Sequence, residues 1–370
     1  MKKFRLTIII CLIIISVLIG GLIVNAQRIS FIPTIKSGPS GGEILSLVEG
    51  NIYDVCKNYT PKITENYYNG TDQYAPKTIE IVWECNQQPD YYTLKLADNK
   101  NLSSAQEFIT FDTSIEVDTL YSGYHYYYQV VANYSDKTVK SQIFDFETEA
   151  LTRTMSIEGV SNTRDIGGYY TADGKYRVKQ GMVYRGAELE GITADGKNDM
   201  LVKYGIKTDL DIRGSSTSSP LGKDVNYISL QGPWYAGNST GIDSSDESYR
   251  KALLQEIKTF ANPDNYPIYF HCQIGRDRIG TLAFLINALL GVEKKDLYLD
   301  YELSLMSASG CTGIAPSYFI DTPLANLYNY INNYNSEGTL ADKTEQFMID
   351  LGVRAEEIAA IRDIMLEEVK

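Results

Sequence analysis

Residues 267–290 read PIYFHCQIGRDRIGTLAFLINALL, and no other stretch constrains the fold as tightly. Ile268-Tyr269-Phe270 is a short apolar, β-prone run that reads as a buried strand. Cys272 to Arg278 is a polar turn, and residues 279–290 read as a helix whose apolar body, Leu282 to Leu290, stops at Gly291. Around this core, Asp209-Leu210-Asp211-Ile212 follows Tyr204-Gly205-Ile206 as a strand follows a turn. Asp296 to Met306 and Ala355 to Val369 carry further helices, the last with Ile358, Ile361, Met365 and Val369 at helical spacing. Strands interleaved with helices imply an α/β domain.

A strand that runs through a tight loop into a helix lets successive backbone N–H groups converge on an anion. Cys272 would lie at the base of that loop, where the N–H array and Arg278 stabilise its thiolate. The guanidinium of Arg278 suits two phosphate oxygens at once, and the main chain of Gln273, Ile274, Gly275 and Arg276 suits the others. Gly275 lets the loop turn with positive φ. His271 would orient the loop. The chain holds 5 cysteines and 2 histidines, His125 and His271, far apart in sequence, so a zinc site built on several histidines is excluded. A net charge of −13 argues against nucleic acid as a partner. It also disfavours heavily phosphorylated substrates unless positive charge is gathered locally.

His271-Cys272-x-x-Gly275-x-x-Arg278 resembles the signature of the cysteine-dependent protein tyrosine phosphatases. More narrowly it resembles the His-Cys-x-x-Gly-Lys-Asp-Arg-Thr-Gly form of secreted bacterial tyrosine phosphatases with some lipid phosphatase activity. Other stretches follow the same family in order: Asn162-Thr163-Arg164-Asp165-Ile166-Gly167-Gly168-Tyr169, Tyr184-Arg185-Gly186-Ala187-Glu188-Leu189, Asp211-Ile212-Arg213, Asp300-Tyr301-x-x-Ser304, and Leu351-Gly352-Val353-x-x-Glu356-Glu357-Ile358. The resemblance implies a phosphatase fold over 151–370, with a central, mostly parallel sheet flanked by helices. It implies attack on phosphorus by Cys272, phosphate binding by Arg278, no cofactor and no metal, and a supporting role for Arg185.

Two departures bear on rate. Arg276 stands where the family has lysine, which keeps the charge and changes its shape. Ile279 stands where the family has a threonine whose hydroxyl assists hydrolysis of the cysteinyl-phosphate, so the second step is expected to be slow. Thr281, two residues on, is expected to point elsewhere. The proton donor to the leaving group has several candidates. Asp277 comes first because the family places an aspartate there; Asp211 is second; Asp243 or Asp246 could act from a movable polar segment at 236–248. Asp277 would serve equally as a structural partner of Arg276 or Arg185, and Asp211 as the salt-bridge partner of a neighbouring arginine.

Upstream, Lys2, Lys3 and Arg5 precede an apolar stretch from Leu6 to Val24 that ends in Val24-Asn25-Ala26. Residues 1–26 read as a signal peptide or, uncleaved, as a membrane anchor through 6–24, which puts the rest of the chain outside the cytoplasmic membrane of a bacterium. Residues 27–45 read as a linker rich in Gly, Ser and Pro. Short strands over 46–150 suggest a β-sandwich. The run Leu120-Tyr-Ser-Gly123-Tyr-His-Tyr126 resembles the fibronectin type III pattern, with Tyr126 as its corner tyrosine and Trp83 in the sandwich core. Cys56 and Cys85 could pair there. The chain is thus expected to be multidomain. Three functions follow: an exported phosphatase for phosphoprotein or phosphoinositide substrates, a catalytically weak phosphate-binding relative, or an adhesion protein acting through the sandwich.

Overall fold

The structure is a computed structural model and describes residues 32–313, 323–335 and 337–369. The signal or anchor segment expected at 1–26 lies outside the described residues. Among those described, no helix is long and apolar enough to cross a membrane. The chain divides into two units. The smaller holds residues up to Leu45, Thr78–Asp118 and Tyr124–Thr148, and the larger holds Ser46–Lys77, Thr119–Gly123 and Glu149 onward.

The smaller unit consists of β1 (Thr34–Ser37), β2 (Glu43–Leu45), β3 (Ile79–Glu84), β4 (Tyr91–Ala97), β5 (Gln106–Thr110), β6 (Ser114–Val117), β7 (His125–Asn133), β8 (Thr138–Lys140) and β9 (Phe144–Thr148). One sheet has the order β1-β3-β6 and a second β2-β9-β7-β4-β5, with β8 on β7. The second is mixed, because β2 pairs parallel with β9. In β3 the alternation is clean: Ile79, Ile81 and Trp83 point inward while Glu80 and Glu84 are exposed. Trp83 meets Tyr92 of the other sheet edge-on, ring centroids 5.3 Å apart. Tyr126 is buried and stacks on Phe146, Tyr128 donates to the Pro39 carbonyl, and His125 pairs with Asp145.

The expected linker at 27–45 therefore contributes strands β1 and β2 to the smaller unit, and residues 46–150 are not one contiguous sandwich. Ser46–Lys77 leaves the small unit and packs with the large one, because its helix α1 (Gly50–Lys57) turns Ile52, Val55 and Cys56 into the same core as Ile166, Leu282 and Leu303. Cys56 and Cys85 accordingly fall in different units, and neither is in a disulfide.

The larger unit carries β10 (Arg164–Asp165), β11 (Tyr176–Val178), β12 (Val183–Gly186), β13 (Thr208–Asp211), β14 (Asn226–Ser229), β15 (Ile268–His271) and β16 (Leu366–Glu368). Its helices are α1, α2 (Ala194–Asn198), α3 (Glu247–Thr259), α4 (Asp277–Leu289), α5 (Lys294–Leu303), α6 (Ala325–Asn332), α7 (Leu340–Leu351) and α8 (Ala355–Met365). The main sheet has the order β10-β12-β15-β13-β14. Its β12, β15, β13 and β14 run parallel, whereas β10 is antiparallel to β12 at the edge, so the sheet is mixed, parallel in three of its four pairings. Both faces are covered. Ile268 and Phe270 of β15 enter a core shared with the helices, and Tyr269 enters a second core with Tyr184, Met200 and Tyr204. This two-sided burial explains why the strand reads as an unbroken apolar run. Helix α4 is buried along nearly its whole length and packs on α3, α5 and α7.

Candidate active site

The loop from Cys272 to Arg276 joins the carboxyl end of β15 to the amino end of α4. Gly275 has φ +71°, and a Cβ there would lie 2.5 Å from the carbonyl carbon of Gly186, so glycine is required by both conformation and space. The loop is held from behind by its carbonyls. The Ile274 carbonyl accepts from Asn162 Nδ2 at 3.0 Å and from Ser309 Oγ at 3.1 Å. The Gly275 carbonyl accepts from the Arg185 guanidinium at 2.8 Å. In a planar trans peptide the N–H points opposite to the C=O. Anchoring these two carbonyls therefore turns the N–H groups of Gly275 and Arg276 toward the other side of the loop. The N–H groups of Gln273, Ile274, Gly275 and Asp277 bond no described backbone carbonyl. An anion is the partner that such an array suits.

Cys272 sits at the base of this turn, 2% exposed. Arg278, in the first turn of α4, is half-buried; one guanidinium nitrogen donates to the Ile212 carbonyl at 3.1 Å and the group lies 5.8 Å from the centre of the Trp234 ring. His271 is fully buried at the end of β15, with Nε2 2.9 Å from Asp209 Oδ1, although the two atoms are not aligned as a hydrogen bond.

Arg185 and Arg164 form the foundation. Both guanidinium groups are fully buried and both bind the Asp300 carboxylate. Burial pushes Asp300 upward, but the two arginines outweigh it and hold its carboxyl below the usual range. Burial and the neighbouring Arg164 together lower the pKa of Arg185 against the pull of Asp300. Arg164 also donates to Asn162 Oδ1 at 2.6 Å and to Ser304 Oγ at 3.2 Å, fixing Asn162 in its unusual backbone conformation with φ +62°.

Several sequence expectations need revision. The Arg276 side chain does not face the anion side of the loop. It pairs with Asp277 at 2.9 Å and donates to the carbonyls of Gly310 and Thr312. Asp211 is poorly suited to donate a proton. Its buried carboxylate accepts from Arg213 N, Nε and a terminal nitrogen at 2.9, 2.9 and 2.8 Å and from the Tyr227 hydroxyl at 3.0 Å. Burial pushes its pKa up, but the Arg213 hydrogen bond and His271 prevail and hold it below the ordinary value. Asp246 caps α3 through Ser248 N and Asp243 accepts from Gly237 N, so both carboxylates brace the 236–248 segment. Asp277 opens α4; one carboxylate oxygen accepts from Arg276 Nε at 2.9 Å and from the Tyr301 hydroxyl at 3.4 Å, and the other accepts from an Arg276 terminal nitrogen at 3.5 Å. Ile279 is fully buried in the core, and Thr281 donates its hydroxyl to the Asp277 carbonyl at 3.0 Å.

Sequence reasoning gave no role to Asn162, Arg164, Asp300, Trp234 or Glu256. The first three lay in stretches quoted only for their resemblance. Glu256 sits on the inward stripe of α3 with Ala252, Leu253 and Ile257, and a carboxylate on an apolar stripe was the available signal. It is 1% exposed, and its Oε1 has no hydrogen-bond partner among the described residues. A Cβ on Gly232 would lie 2.6 Å from that oxygen, and Gly232 N donates to the same Ile212 carbonyl that receives Arg278. Burial pushes the Glu256 carboxyl up to about 8, with Arg278 pulling the other way.

A buried cysteine beneath an inward-facing main-chain loop, followed by an arginine in the first turn of the next helix, is the architecture of an α/β phosphatase site. Residues 155–367 match the profile of the tyrosine phosphatase family. The chain belongs to that family. It is 29% identical over 139 residues to a tyrosine-protein phosphatase of Nostoc commune, across 32% of this chain and 47% of that protein. It is 25% identical over 171 residues to a Cupriavidus necator protein provisionally named a tyrosine-protein phosphatase, across 40% of this chain and 61% of that one. The matches thus span about half to three-fifths of those relatives' own lengths. Among solved structures it is similar to the core catalytic domain of the S. cerevisiae PP-IP phosphatase SIW14 in complex with citrate. That likeness has 15% identity and a TM-score of 0.27, over 38% of this chain and 80% of the other.

Proposed function

We propose that the protein is an exported cysteine-dependent phosphatase that hydrolyses phosphotyrosine, with phosphoserine, phosphothreonine or phosphoinositide as further substrates of the same site. The observation that carries this reading is the pair of carbonyls, Ile274 and Gly275, anchored behind a loop with Cys272 at its base and Arg278 at its exit. The names of the two curated relatives support the tyrosine phosphatase assignment. Arg213 is paired with Asp211, Glu188 and Glu190, and Arg276 with Asp277, so positive charge facing a substrate is concentrated at Arg278. That favours a single phosphoryl group over a polyphosphorylated ring.

In this reading the Cys272 thiolate attacks phosphorus, forming an S–P bond as the bond to the leaving oxygen breaks. Arg278 and the loop N–H groups hold the equatorial oxygens. Asp277 gives its proton to the leaving oxygen, positioned by Arg276 and Tyr301. Water then attacks phosphorus, its proton returns to Asp277, the S–P bond breaks, and phosphate and thiolate are released. An isoleucine at 279 offers no hydroxyl to the departing sulfur, so the second step limits turnover.

Export is supported by the basic start and apolar stretch 6–24 followed by Val24-Asn25-Ala26. The strand orders β1-β3-β6 and β9-β7-β4-β5 support a fibronectin type III-like sandwich for the smaller unit, interrupted by residues 46–77. The test is hydrolysis of an aryl phosphate by the wild type and Cys272→Ser, with and without vanadate. Vanadate-sensitive turnover with a pre-steady-state burst, lost in Cys272→Ser, is expected. No turnover by the wild type would sink the enzyme reading, and turnover without a burst would sink the role given to Ile279.

A further inference from the structure

Residues 46–77 lie outside the 155–367 segment that matches the family, yet they are built into the larger unit. Two of their side chains reach the scaffold that orients the loop. The Tyr74 ring is buried, and its hydroxyl donates to the Leu303 carbonyl. The same oxygen accepts from Arg164 at 3.4 Å and lies 3.3 Å from Asn162 Oδ1, while the Arg164 guanidinium stands 5.8 Å from the ring centre. Asp72 accepts from Ser161 Oγ and, at 3.1 Å, from Ala308 N. Ser161 Oγ in turn accepts from Ser309 N at 3.2 Å. Both routes end on the Ile274 carbonyl, one through Asn162 and the other through Ser309.

We propose that Asp72 and Tyr74 are positioning residues for the 272–278 loop, a brace supplied from outside the family segment that sets how well the loop receives an oxyanion. The proposal rests on the reading that this loop binds the phosphoryl group. The physical link is short. Asn162 and Ser309 hold the Ile274 carbonyl, and that carbonyl fixes the opposite direction of the Gly275 N–H. A donor misaimed by tens of degrees loses much of its attraction for an anion. Asn162 sits in the left-handed backbone region, which asparagine enters more readily than most residues, so it is its side chain that needs holding. Arg164 and Tyr74 surround its side chain.

A control lies in the same segment. Tyr59 donates to Glu302 Oε1 at 2.8 Å and is also buried, and this hydrogen bond does not lead to Asn162, Ser309 or Arg185, which bind the loop carbonyls. The experiment measures tungstate binding to the full chain by calorimetry, together with kcat/KM for an aryl phosphate and Tm, in wild type, Tyr74→Phe, Tyr59→Phe, Asp72→Ala and Asp72→Asn. Tyr74→Phe and Asp72→Ala are expected to weaken tungstate binding about tenfold, with kcat/KM falling in parallel. Asp72→Asn keeps an acceptor oxygen and restores binding. Tyr59→Phe lowers Tm by as much as Tyr74→Phe but leaves binding unchanged. Wild-type affinity in both Tyr74→Phe and Asp72→Ala overturns the proposal, as does an equal loss in Tyr59→Phe, which would mark the segment as a general stabiliser. A wild type that binds no tungstate overturns the phosphatase reading itself and this proposal with it. Should Tyr74→Phe fail to fold, the contrast between Asp72→Ala and Asp72→Asn carries the same decision, because Asp72 is exposed.

Discussion

Glu256→Gln isolates a single buried titration. The carboxyl is 1% exposed and its pKa rises from 4.5 to about 8 on folding, burial being the cause and Arg278 the opposing charge. Below pH 4.5 it is protonated in both folded and unfolded chains and has no pH effect. Between 4.5 and about 8 the unfolded chain gives up a proton that the folded chain retains, so stability falls as pH rises. The slope is about 1.4 kcal/mol per pH unit, which accumulates to about 3 kcal/mol at pH 7 and roughly 5 kcal/mol above pH 8. Glutamine does not titrate, so the stability difference between variant and wild type should climb across this window and level off beyond it. The absolute offset also contains the cost of burying the amide, but the slope does not. The assay is urea unfolding at pH 5 to 9, followed by the fluorescence of Trp234 in a Trp83→Phe background, which confines the signal to the larger unit. Since the chain has 2 tryptophans, no other indole contributes. In an Arg278→Met background the upper bend should move to higher pH, because the opposing charge is gone. A stability difference that stays flat between pH 5 and 8 would show that Glu256 is ionised and paired in the folded protein, and the reasoning would fail.

Gly275→Ala should reduce kcat/KM at least a hundredfold and abolish vanadate inhibition with little change in circular dichroism, because the new Cβ meets the Gly186 backbone at 2.5 Å and the loop must move. Asp211→Asn breaks the Arg213 network, so activity should fall equally for aryl phosphates with good and poor leaving groups; Asp277→Asn should lose the poor leaving groups selectively. Leaving-group selectivity in Asp211→Asn would reverse the two assignments. Asp300→Asn leaves two buried guanidinium groups without a countercharge and should cost about 3–5 kcal/mol in urea unfolding. Because the Asp300 pKa is depressed, its contribution is complete above the ordinary carboxylate range and is lost only as pH falls through the depressed value. The penalty should accordingly be constant from pH 5 to 8.

The strand, loop and helix around Cys272 were legible because the determinants are contiguous: three apolar residues, a glycine needed for positive φ, and an apolar helix closed by Gly291. The direction of the Arg276 side chain was not, since it is set by carbonyls 34 and 36 residues away. Asp211 and Asp277 could be read either as acids or as ion-pair partners; both are paired in the structure, Asp211 with three nitrogens of Arg213 and the Tyr227 hydroxyl, and Asp277 with Arg276, and neither partner's direction could be read from the sequence. The placement of 46–77 was missed because the strand signals from Thr78 onward were extended back over it as one domain. An amphipathic helix as short as α1 does not say which core its apolar face will enter. Glu256 was missed because the helix that carries it, α3, was not read from the sequence, so its place on an apolar stripe went unseen.

Lys62 N donates to a Glu302 oxygen across 240 residues of chain. During synthesis at about 5–20 residues per second, residues 46–77 emerge on the order of ten seconds or more before the partners that bury them. Until then Ile52, Val55 and Tyr59 have no core to enter. This segment is the first part of the larger unit to be made and among the last to find its place, so the interval before α5 arrives is when a holding chaperone would matter most to this chain.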